Sequence, residues 1–302
     1  WQFDYPITPS DGMELTHVKY RGKTVMNSAK LLDWHVSYST REGFGYSDAI
    51  GCPLFSSAVV IAYEGPQIEI IKHENSQTGF AFIQDFRQPP WPTPCNYRYE
   101  QRFEFYDDGR FRVAAADYGR GCGTDGTYRP VIRMDIEVAD NNEEQFSQWN
   151  GNSWKLWHNE QWHLQSDKTQ YSDEGYLFKI NNSQGQGFYI EPNRGQFNDG
   201  SKGDFAFSYI SVNHPEKDEG KNDMVTIGSC CNKDYQQGPE QFITPAEPLE
   251  QKNLVLWYVP QIKNNGTLGE EYCWADTRVE KGIKKIKVWP CYAGPMFVPI
   301  EN

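Results

Sequence analysis

The sequence lacks the features that mark membrane proteins and nucleic-acid-binding proteins. No stretch approaches the roughly 18 consecutive apolar residues that a membrane helix needs, and the mean hydropathy is −0.75. Long basic runs are also missing, since the 302 residues carry a net charge of −12. The one short basic segment, 281–287, mixes lysine with isoleucine in the manner of a strand with one solvent-facing side. We therefore expect no membrane span and no nucleic-acid partner.

The common local motifs of catalysis are absent as well. The sequence has no Gly-rich phosphate loop, no Gly-x-Ser-x-Gly turn and no His-Glu-x-x-His pair. The six histidines are never one, three or four residues apart, so no single element is expected to offer two imidazoles to a metal. The seven cysteines are scattered, without the two-residue spacing of zinc or iron–sulfur sites. Local motifs therefore predict neither a metal site nor another cofactor site.

Helical periodicity is scarce, and strand signals take its place. Short runs rich in aromatic and β-branched residues recur between clusters of Gly, Pro, Asn and Asp. These runs are 34–40, 58–63, 67–72, 79–83, 102–113, 131–136 and 254–259. Turn residues at 64–67 and 106–110 predict hairpins. Because no low-complexity linker divides the chain, the sequence predicts one all-β domain over residues 1–302, a large antiparallel β-sandwich.

The cysteines and two glycosylation triplets indicate an oxidising, extracellular setting. Asn181 and Asn265 each begin an Asn-x-Ser/Thr triplet in a polar, Gly-rich stretch that we expect to be an exposed loop. The chain begins at Trp1 without methionine, as a processed protein or part of a longer precursor would. Cys273 and Cys291 bracket a predicted strand and are the candidate disulfide pair. We expect a secreted glycoprotein that contains a disulfide.

A tryptophan-rich segment, 154–163, allows two interpretations. It contains Trp154, Trp157 and Trp162, and the last two are each followed by a histidine. Exposed indoles would stack on sugar rings, whereas buried indoles would fill the core or the edge of a sandwich. We favour packing, because tryptophan buries a large area wherever it can, and keep a glycan-binding face as the alternative.

Residues 93–111, TPCNYRYEQRFEFYDDGRF, resemble the cofactor region of the copper amine oxidases. In that family a Thr-x-x-Asn-Tyr-acidic-Tyr motif precedes a strand with an Asp-Gly turn, and its first tyrosine is oxidised to topaquinone. Further similar blocks follow the family's order: 34–46, 50–53, 70–82, 128–138, 174–193 and 249–262. The resemblance implies the family's catalytic-domain fold, often called a supersandwich, and it places Tyr97 at the cofactor position.

The copper ligands that this resemblance would require are replaced. The family's His-x-His pair would fall at Gly126 and Tyr128, and its third histidine at Phe207. Three imidazoles hold Cu(II) in a tetragonal nitrogen and oxygen site, and none of these residues offers one. His214, the histidine nearest to the third place along the chain, lies in a charged loop, and we interpret it as a solvated side chain. We expect no copper site.

The cofactor tyrosine and the catalytic base are affected too. Arg98 follows Tyr97 where the family has an acidic residue, and the stretch expected to carry the base is shortened to 44–50. Asp48 in this stretch does not match the base by context and is interpreted as a turn residue. Without copper to activate oxygen beside the ring, tyrosine is not oxidised to a quinone. We therefore expect an unmodified Tyr97, with Arg98 on the opposite face, in solvent or near a carboxylate.

Three functions remain open on the sequence alone. The first is a secreted, non-catalytic copper amine oxidase-like protein with a binding or structural role in an extracellular assembly. Such a protein would have no cofactor and would bind a protein or a glycan. It could also form a homo-oligomer. The second is an active copper and topaquinone amine oxidase. The third is a carbohydrate-binding protein that uses a face around Trp154, Trp157 and Trp162. We favour the first, in which the chain is not an enzyme.

Overall fold

The computed structural model describes residues 1–8, 12–38, 46–47, 61–74, 76–94, 96–119, 126–138, 143–193, 203–222 and 237–300. Within these ranges the chain consists of β-strands and connections, with one short 3-10 helix at Pro239–Ile243 and no α-helix. The predicted all-β class is thereby confirmed. In the same ranges, no helix has the length and apolar character to cross a membrane.

The strands pair antiparallel throughout the two large sheets that they form. In chain order they are β1 (Gln2–Asp4), β2 (Glu14–Tyr20), β3 (Lys23–Tyr38), β4 (Tyr46–Ser47), β5 (Ile61–Ala62), β6 (Gln67–His73), β7 (Ser76–Arg87), β8 (Arg98–Tyr106), β9 (Phe111–Asp117), β10 (Gly126–Ile136), β11 (Gln145–Trp149), β12 (Trp154–Leu156), β13 (Gln161–Leu164), β14 (Phe178–Asn181), β15 (Gly187–Glu191), β16 (Phe207–Val212), β17 (Leu254–Val259), β18 (Ile262–Lys263), β19 (Trp274–Glu280), β20 (Ile283–Trp289), β21 (Cys291–Ala293) and β22 (Met296–Pro299).

The first sheet has the strand order β1-β2-β3-β10-β17-β16-β13, with β4 beside β3 and β18 beside β10. Its longest pairing joins β3 to β10 from Tyr38 opposite Gly126 to Met26 opposite Ile136. Strand β17 reads LVLWYV and is buried at every position. A continuous apolar run of this kind is expected for a strand that is covered on both faces.

The second sheet has the strand order β12-β11-β14-β15-β22-β9-β8-β7-β5, with β21 beside β9 and β6 beside β7. The β8–β9 hairpin closes at the turn predicted for 106–110. Gly109 has φ +89° there, and a Cβ at this position would lie 2.8 Å from Cε1 of Tyr20. Only glycine combines this backbone conformation with so close a neighbour.

The two sheets pack face to face around one large apolar cluster. Trp34 of β3 stacks on Tyr99 of β8, with ring centroids 4.0 Å apart and an interplanar angle of 11°. Phe103 and Phe105 also belong to this core, whereas the alternate residues of β8 face outward. The predicted antiparallel sandwich is therefore correct.

A second, smaller apolar cluster covers the outer face of the first sheet. It includes Leu32, Val131 and Trp257, and Phe242 of the 3-10 helix stacks on Trp257 with centroids 5.1 Å apart. The middle of the first sheet is thus buried on both sides. This second layer explains the two-sided burial of β17.

Strands β19 and β20 form a hairpin that pairs with neither sheet in the described part of the chain. The Cys273–Cys291 disulfide, which the sequence proposed, joins the ends of this hairpin, with Cα atoms 4.9 Å apart. The predicted strand over 283–289 is present, but a buried inner face is not: Val279 is 72% and Ile283 61% exposed. Trp274 and Ala275 at the base of the hairpin are buried, whereas the residues near its turn are exposed, so the alternating pattern did not mark burial there.

Candidate functional site

Tyr97, at the expected cofactor position, immediately precedes β8 and has no exposed surface. Its ring packs on Tyr99 with centroids 5.7 Å apart, because residues two apart on a strand share a face. Gln88 fixes the backbone: its Oε1 accepts a hydrogen bond from the Tyr97 N–H at 2.8 Å, and its own N–H donates to the Tyr97 carbonyl at 3.0 Å. Tyr97 is therefore a core residue whose backbone N–H and carbonyl are both hydrogen-bonded to Gln88.

Arg98 points to the outer face of the second sheet, toward carboxylates, as predicted. Its Nε donates to Oδ2 of Asp85 at 2.8 Å, and its guanidinium lies 4.0 Å from the ring centroid of Tyr118. Oε1 of Glu100 accepts a hydrogen bond from the Tyr118 hydroxyl, and burial raises the pKa of this carboxyl. An acidic residue at position 98 would face two carboxylates here. The arginine therefore fits a structural ion pair on the side of the sheet away from the Tyr97 ring.

The expected His-x-His positions lie beside the aromatic layer that contains Tyr97. Gly126 opens β10 and carries no side chain, and its carbonyl accepts the Asn264 N–H at 3.0 Å. Tyr128 is fully buried and packs edge-on against Tyr99, with centroids 6.5 Å apart. A glycine and a packed phenol do not provide the imidazole pair of a Cu(II) site.

The expected third ligand position faces away from this layer. Phe207 belongs to the apolar cluster on the outer face of the first sheet. Its neighbour Ser208 faces the core, because it pairs with the core residue Tyr258 of β17. On the other side Ser208 pairs with His163 of β13, whose ring lies 6.0 Å from Phe178 of the second sheet. Sequence reasoning missed this histidine, which the fold brings next to the third position.

His163 nevertheless lies far from the expected histidine pair. The row that contains Ser208 and Tyr258 reaches β10 at Ile132, four residues beyond Tyr128. Strand spacings place His163 about 13 Å along and about 14 Å across from Tyr128. Burial lowers the pKa of its imidazole. One core imidazole at this distance does not complete a copper site with Tyr128.

His214 is not the solvated residue that the sequence suggested. Its side chain is 15% exposed, with Nε2 3.1 Å from Oε1 of Glu247 and Nδ1 3.4 Å from Oε1 of Glu216. Two carboxylates therefore hold the imidazole in place in the 213–222 loop. Glu216 is one of the charged loop residues that suggested solvation, whereas Glu247 lies 33 residues further along the chain.

One group of potential metal ligands converges within the described residues. It consists of Asp117, Cys273 and Cys291, whose ligand atoms lie within 4.8 Å of one another. The two sulfurs are joined in the disulfide and offer no thiolates. Burial raises the pKa of the Asp117 carboxyl well above its usual range. The described residues thus gather no other set of three histidine, cysteine, aspartate or glutamate ligands.

The three tryptophans of segment 154–163 do not share a face. Trp154 lies on the outer side of the second sheet, and Trp157 is buried in the core against Phe146, with centroids 5.0 Å apart. Trp162 is 48% exposed on the outer side of the first sheet, 5.9 Å from the ring of Tyr209. The preferred interpretation of core and edge packing holds for Trp157. The proposed face around all three tryptophans is wrong, because the segment crosses from one sheet to the other.

A different set of aromatic residues lines a groove of about 600 Å³ on the outer face of the second sheet. We call it the aromatic groove and define it by Trp149, Trp154, Tyr176 and Tyr189. Trp149 and Trp154 pair across the β11–β12 hairpin, and Tyr189 follows on β15. Two indoles that flank a four-residue Asn-Gly-Asn-Ser turn are the sequence signal for this pair, but Tyr176 and Tyr189 have no such signal.

The two predicted glycosylation residues differ in accessibility. Asn181 is the last residue of β14, is 7% exposed, and its Nδ2 donates to the Asn182 carbonyl at 2.7 Å. Asn265 begins the exposed turn 266–270, where its Oδ1 accepts the Thr267 N–H at 2.9 Å. The expected exposed loop is therefore absent at Asn181 and present next to Asn265. Asp48 and the cysteines other than Cys273 and Cys291 lie outside the described residues.

Glu144 is a buried acid at the edge of a cavity of about 640 Å³ that Trp157, His158 and Leu249 also line. Its Oε2 accepts the Leu254 N–H at 2.6 Å. Burial raises its pKa to about 8, against a usual value of 4.5. Through this hydrogen bond the carboxyl ties the residue before β11 to the first residue of β17.

Comparison with known proteins identifies the fold. The structure superimposes on the Aspergillus nidulans amine oxidase with a TM-score of 0.54, over 99% of this chain and 50% of that one. The fold is copper amine oxidase-like. The Pichia pastoris lysyl oxidase gives a TM-score of 0.51 over the same shares of the two chains. Sequence identity is 14% and 12%, respectively.

The copper amine oxidase-like fold is thus recognised through structure. No protein-family model matches the chain, and no curated protein matches it. The chain spans about half the length of the two solved structures named above. At this identity and coverage the likeness establishes the fold, and the residues of this chain decide what its site can do.

Proposed function

We propose that this chain is a secreted, non-catalytic protein on a copper amine oxidase-like fold, with a binding or structural role in an extracellular assembly. In this proposal residues 1–302 form one domain. The side chain of Tyr97, at the former cofactor position, is an unmodified tyrosine. It assigns no catalytic residue, cofactor or metal. Its support comes from the residues that replace the expected chemistry.

The replacement of the copper ligands is the observation that carries the proposal. Gly126 and Tyr128 stand at the expected pair, and Phe207 turns to the opposite face of its sheet. The aromatic rings of Tyr99 and Tyr128 occupy the side of the core next to Tyr97. Quinone formation needs copper and oxygen beside the tyrosine ring. The rings of Tyr99 and Tyr128 pack there and offer no imidazole that could bind copper.

Exposed apolar side chains support the assembly role. On one face of the β19–β20 hairpin lie Val279, Ile286 and Val288, which are between 38% and 72% exposed, and Ile283 lies on the other face. Contiguous exposed apolar residues commonly mark interaction surfaces. A protein partner or a second copy of the chain would bury them, and the Asn265 triplet and the disulfide accord with an extracellular location.

Metal and activity analysis of the native protein tests the proposal. The protein is secreted from a host grown with copper, and its copper content and peroxide release from benzylamine and methylamine are measured. We expect copper far below one equivalent per chain and no peroxide. Tyr97→Phe, which removes the only residue proposed for quinone formation, is the matched variant. Stoichiometric copper with peroxide release that chelators and Tyr97→Phe both abolish would establish the amine oxidase alternative.

A further inference from the structure

We propose that the aromatic groove on the outer face of the second sheet binds a neutral carbohydrate. The groove lies toward the β12 edge of the sheet, where residues of β11, β12, β15 and β22 line it. Its four aromatic residues are all partly exposed, so their ring faces are neither lost in the core nor fully solvated. A cleft of about 600 Å³ is large enough for a small ligand.

The aromatic rings form a continuous surface. Tyr176 and Tyr189 stack nearly parallel, with centroids 4.6 Å apart and an angle of 3°. Trp154 lies 5.6 Å from Tyr189 at an angle of 31°, and Trp149 lies 5.4 Å from Trp154 at 64°. Because these rings contact one another, their orientations are fixed before a ligand arrives. A preorganised surface loses little conformational entropy on binding.

A polar rim stands above this surface. The turn at 172–176 contributes Ser172, Asp173 and Glu174 to the lining. The Ser172 hydroxyl donates to Oε2 of Glu174 at 2.7 Å, and this hydrogen bond lowers the pKa of the Glu174 carboxyl. The carboxylate is thus ionised at neutral pH and accepts hydrogen bonds. Aromatic faces with acceptors at their edge match a sugar ring, which has an apolar C–H face and hydroxyl groups around it.

The charges of the groove disfavour other ligand classes. An anion would meet Asp173 and Glu174. A cation would be attracted by the same carboxylates, but Lys179, whose Nζ lies 5.5 Å from the ring centroid of Trp154, already occupies the cation site on that indole. A purely apolar ligand would leave the hydrogen-bond acceptors of Asp173 and Glu174 at the edge of the groove unused. An uncharged, hydroxyl-rich ligand satisfies both signs of charge.

This inference deepens the proposed binding role and rests on it, but its site is separate. Tyr97 faces the core beside β8, whereas the groove lies on the outer face between β12 and β22, and β9 separates β22 from β8 in the strand order. A result at one place therefore leaves the other unchanged. Loss of sugar binding would not restore a copper site, and discovery of copper would not fill the groove.

The test is titration of the intact protein with neutral hexasaccharides of β-1,4-glucose, α-1,4-glucose, xylose, mannose and N-acetylglucosamine. Binding is followed by tryptophan fluorescence and calorimetry. We expect saturable binding of at least one of them, and Trp154→Ala should weaken it about tenfold or more, as the loss of a central aromatic contact does. Trp162→Ala, which removes a half-exposed indole on the other sheet, is the matched control and should leave the affinity unchanged.

Two further measurements keep the test decisive if Trp154→Ala fails to fold. Tyr176→Ala alters the 172–176 turn region and leaves the strands intact, and it should weaken binding in the same way. In the wild-type protein, the indole N–H signals of Trp149 and Trp154 should shift with added sugar, and that of Trp162 should not. Absence of binding at millimolar sugar, loss of binding only in Trp162→Ala, or saturable binding of tetramethylammonium in place of sugars would each overturn the proposal.

Discussion

Single residues decide the chemistry that this fold can support. Tyr97 and Arg98 are consecutive, yet the tyrosine lies in the aromatic core and the arginine forms an ion pair with Asp85 on the outer face. Strand alternation was sufficient to predict both directions. By the same rule, Phe207 points to the outer face of the first sheet and its neighbour Ser208 points to the core. A shift of one residue in register therefore turns a ligand position away from its site.

Glu144 gives the fold a pH dependence that can be measured. Its pKa of about 8 lies above the usual 4.5, so the folded state binds the proton more tightly than the unfolded state. Stability from this group is therefore fully present below about pH 4.5 and is lost as the pH rises toward 8. Between pH 5 and pH 9 the wild type should lose unfolding free energy on the order of 4 kcal/mol through this group, and Glu144→Gln should not show this loss.

Urea unfolding of the wild type and of Glu144→Gln at the two pH values measures this loss. The change in unfolding free energy from one pH to the other is compared between the two proteins. Any destabilisation by the amide that is the same at both pH values drops out of this comparison. Glu143→Gln, at the exposed neighbouring residue, is the control for removal of one charge. An equal pH response of the wild type and Glu144→Gln would show that Glu144 is not the source.

Only one of the two Asn-x-Ser/Thr triplets should be glycosylated. Asn181 is buried and donates a hydrogen bond to the next carbonyl, whereas Asn265 precedes an exposed turn. In protein secreted from a eukaryotic host we expect a glycan on Asn265 and none on Asn181. Peptide mass spectrometry with and without glycosidase treatment measures both, and Asn265→Gln should remove the whole mass difference. A glycan on Asn181 would mean that β14 forms after modification.

The stack of β3 on β8 holds the two sheets together. Trp34 is fully buried and lies 4.0 Å from the ring of Tyr99. Trp34→Ala should cost roughly 3–5 kcal/mol of unfolding free energy, the range for large aromatic deletions in cores. Trp162→Ala deletes an equal side chain that is 48% exposed and should cost about 1 kcal/mol or less. Chemical denaturation compares the two, and equal losses would place the core elsewhere.

The disulfide at the ends of the β19–β20 hairpin should stabilise the fold through the unfolded chain. Its cysteines are 18 residues apart, and closing a loop of this length is worth about 3 kcal/mol. The double variant Cys273→Ser/Cys291→Ser should be destabilised by roughly this amount in urea. Val279→Ala, 72% exposed in the same hairpin, is the control and should change little. A double variant as stable as the wild type would contradict the pairing.

The all-β class and the sandwich of the whole molecule were predictable from the sequence, because alternation and turn residues are local signals. The positions of Trp157 and Trp162 were not, since β12 and β13 belong to different sheets although four residues separate them. The burial of Asn181 and the approach of His163 to Ser208 likewise depend on pairing between distant strands. Sequence indicates which residues form strands, and tertiary pairing decides which of them meet.

The common core predicts that residues 1–302 unfold as one unit. The large apolar cluster contains residues of both sheets, so neither sheet keeps its buried face without the other. Thermal unfolding followed by calorimetry, tryptophan fluorescence and circular dichroism should show coincident transitions. Two separated transitions would indicate two independently stable domains.

The covalent state of Tyr97 distinguishes a non-catalytic protein from an amine oxidase. Trypsin is expected to release residues 88–98, in which Tyr97 is the only tyrosine. The purified protein is incubated with Cu(II) and oxygen, treated with phenylhydrazine to trap any quinone, and digested, with an established topaquinone oxidase as positive control. We predict the unmodified mass for this peptide. A quinone or hydrazone at Tyr97 would contradict the non-catalytic account.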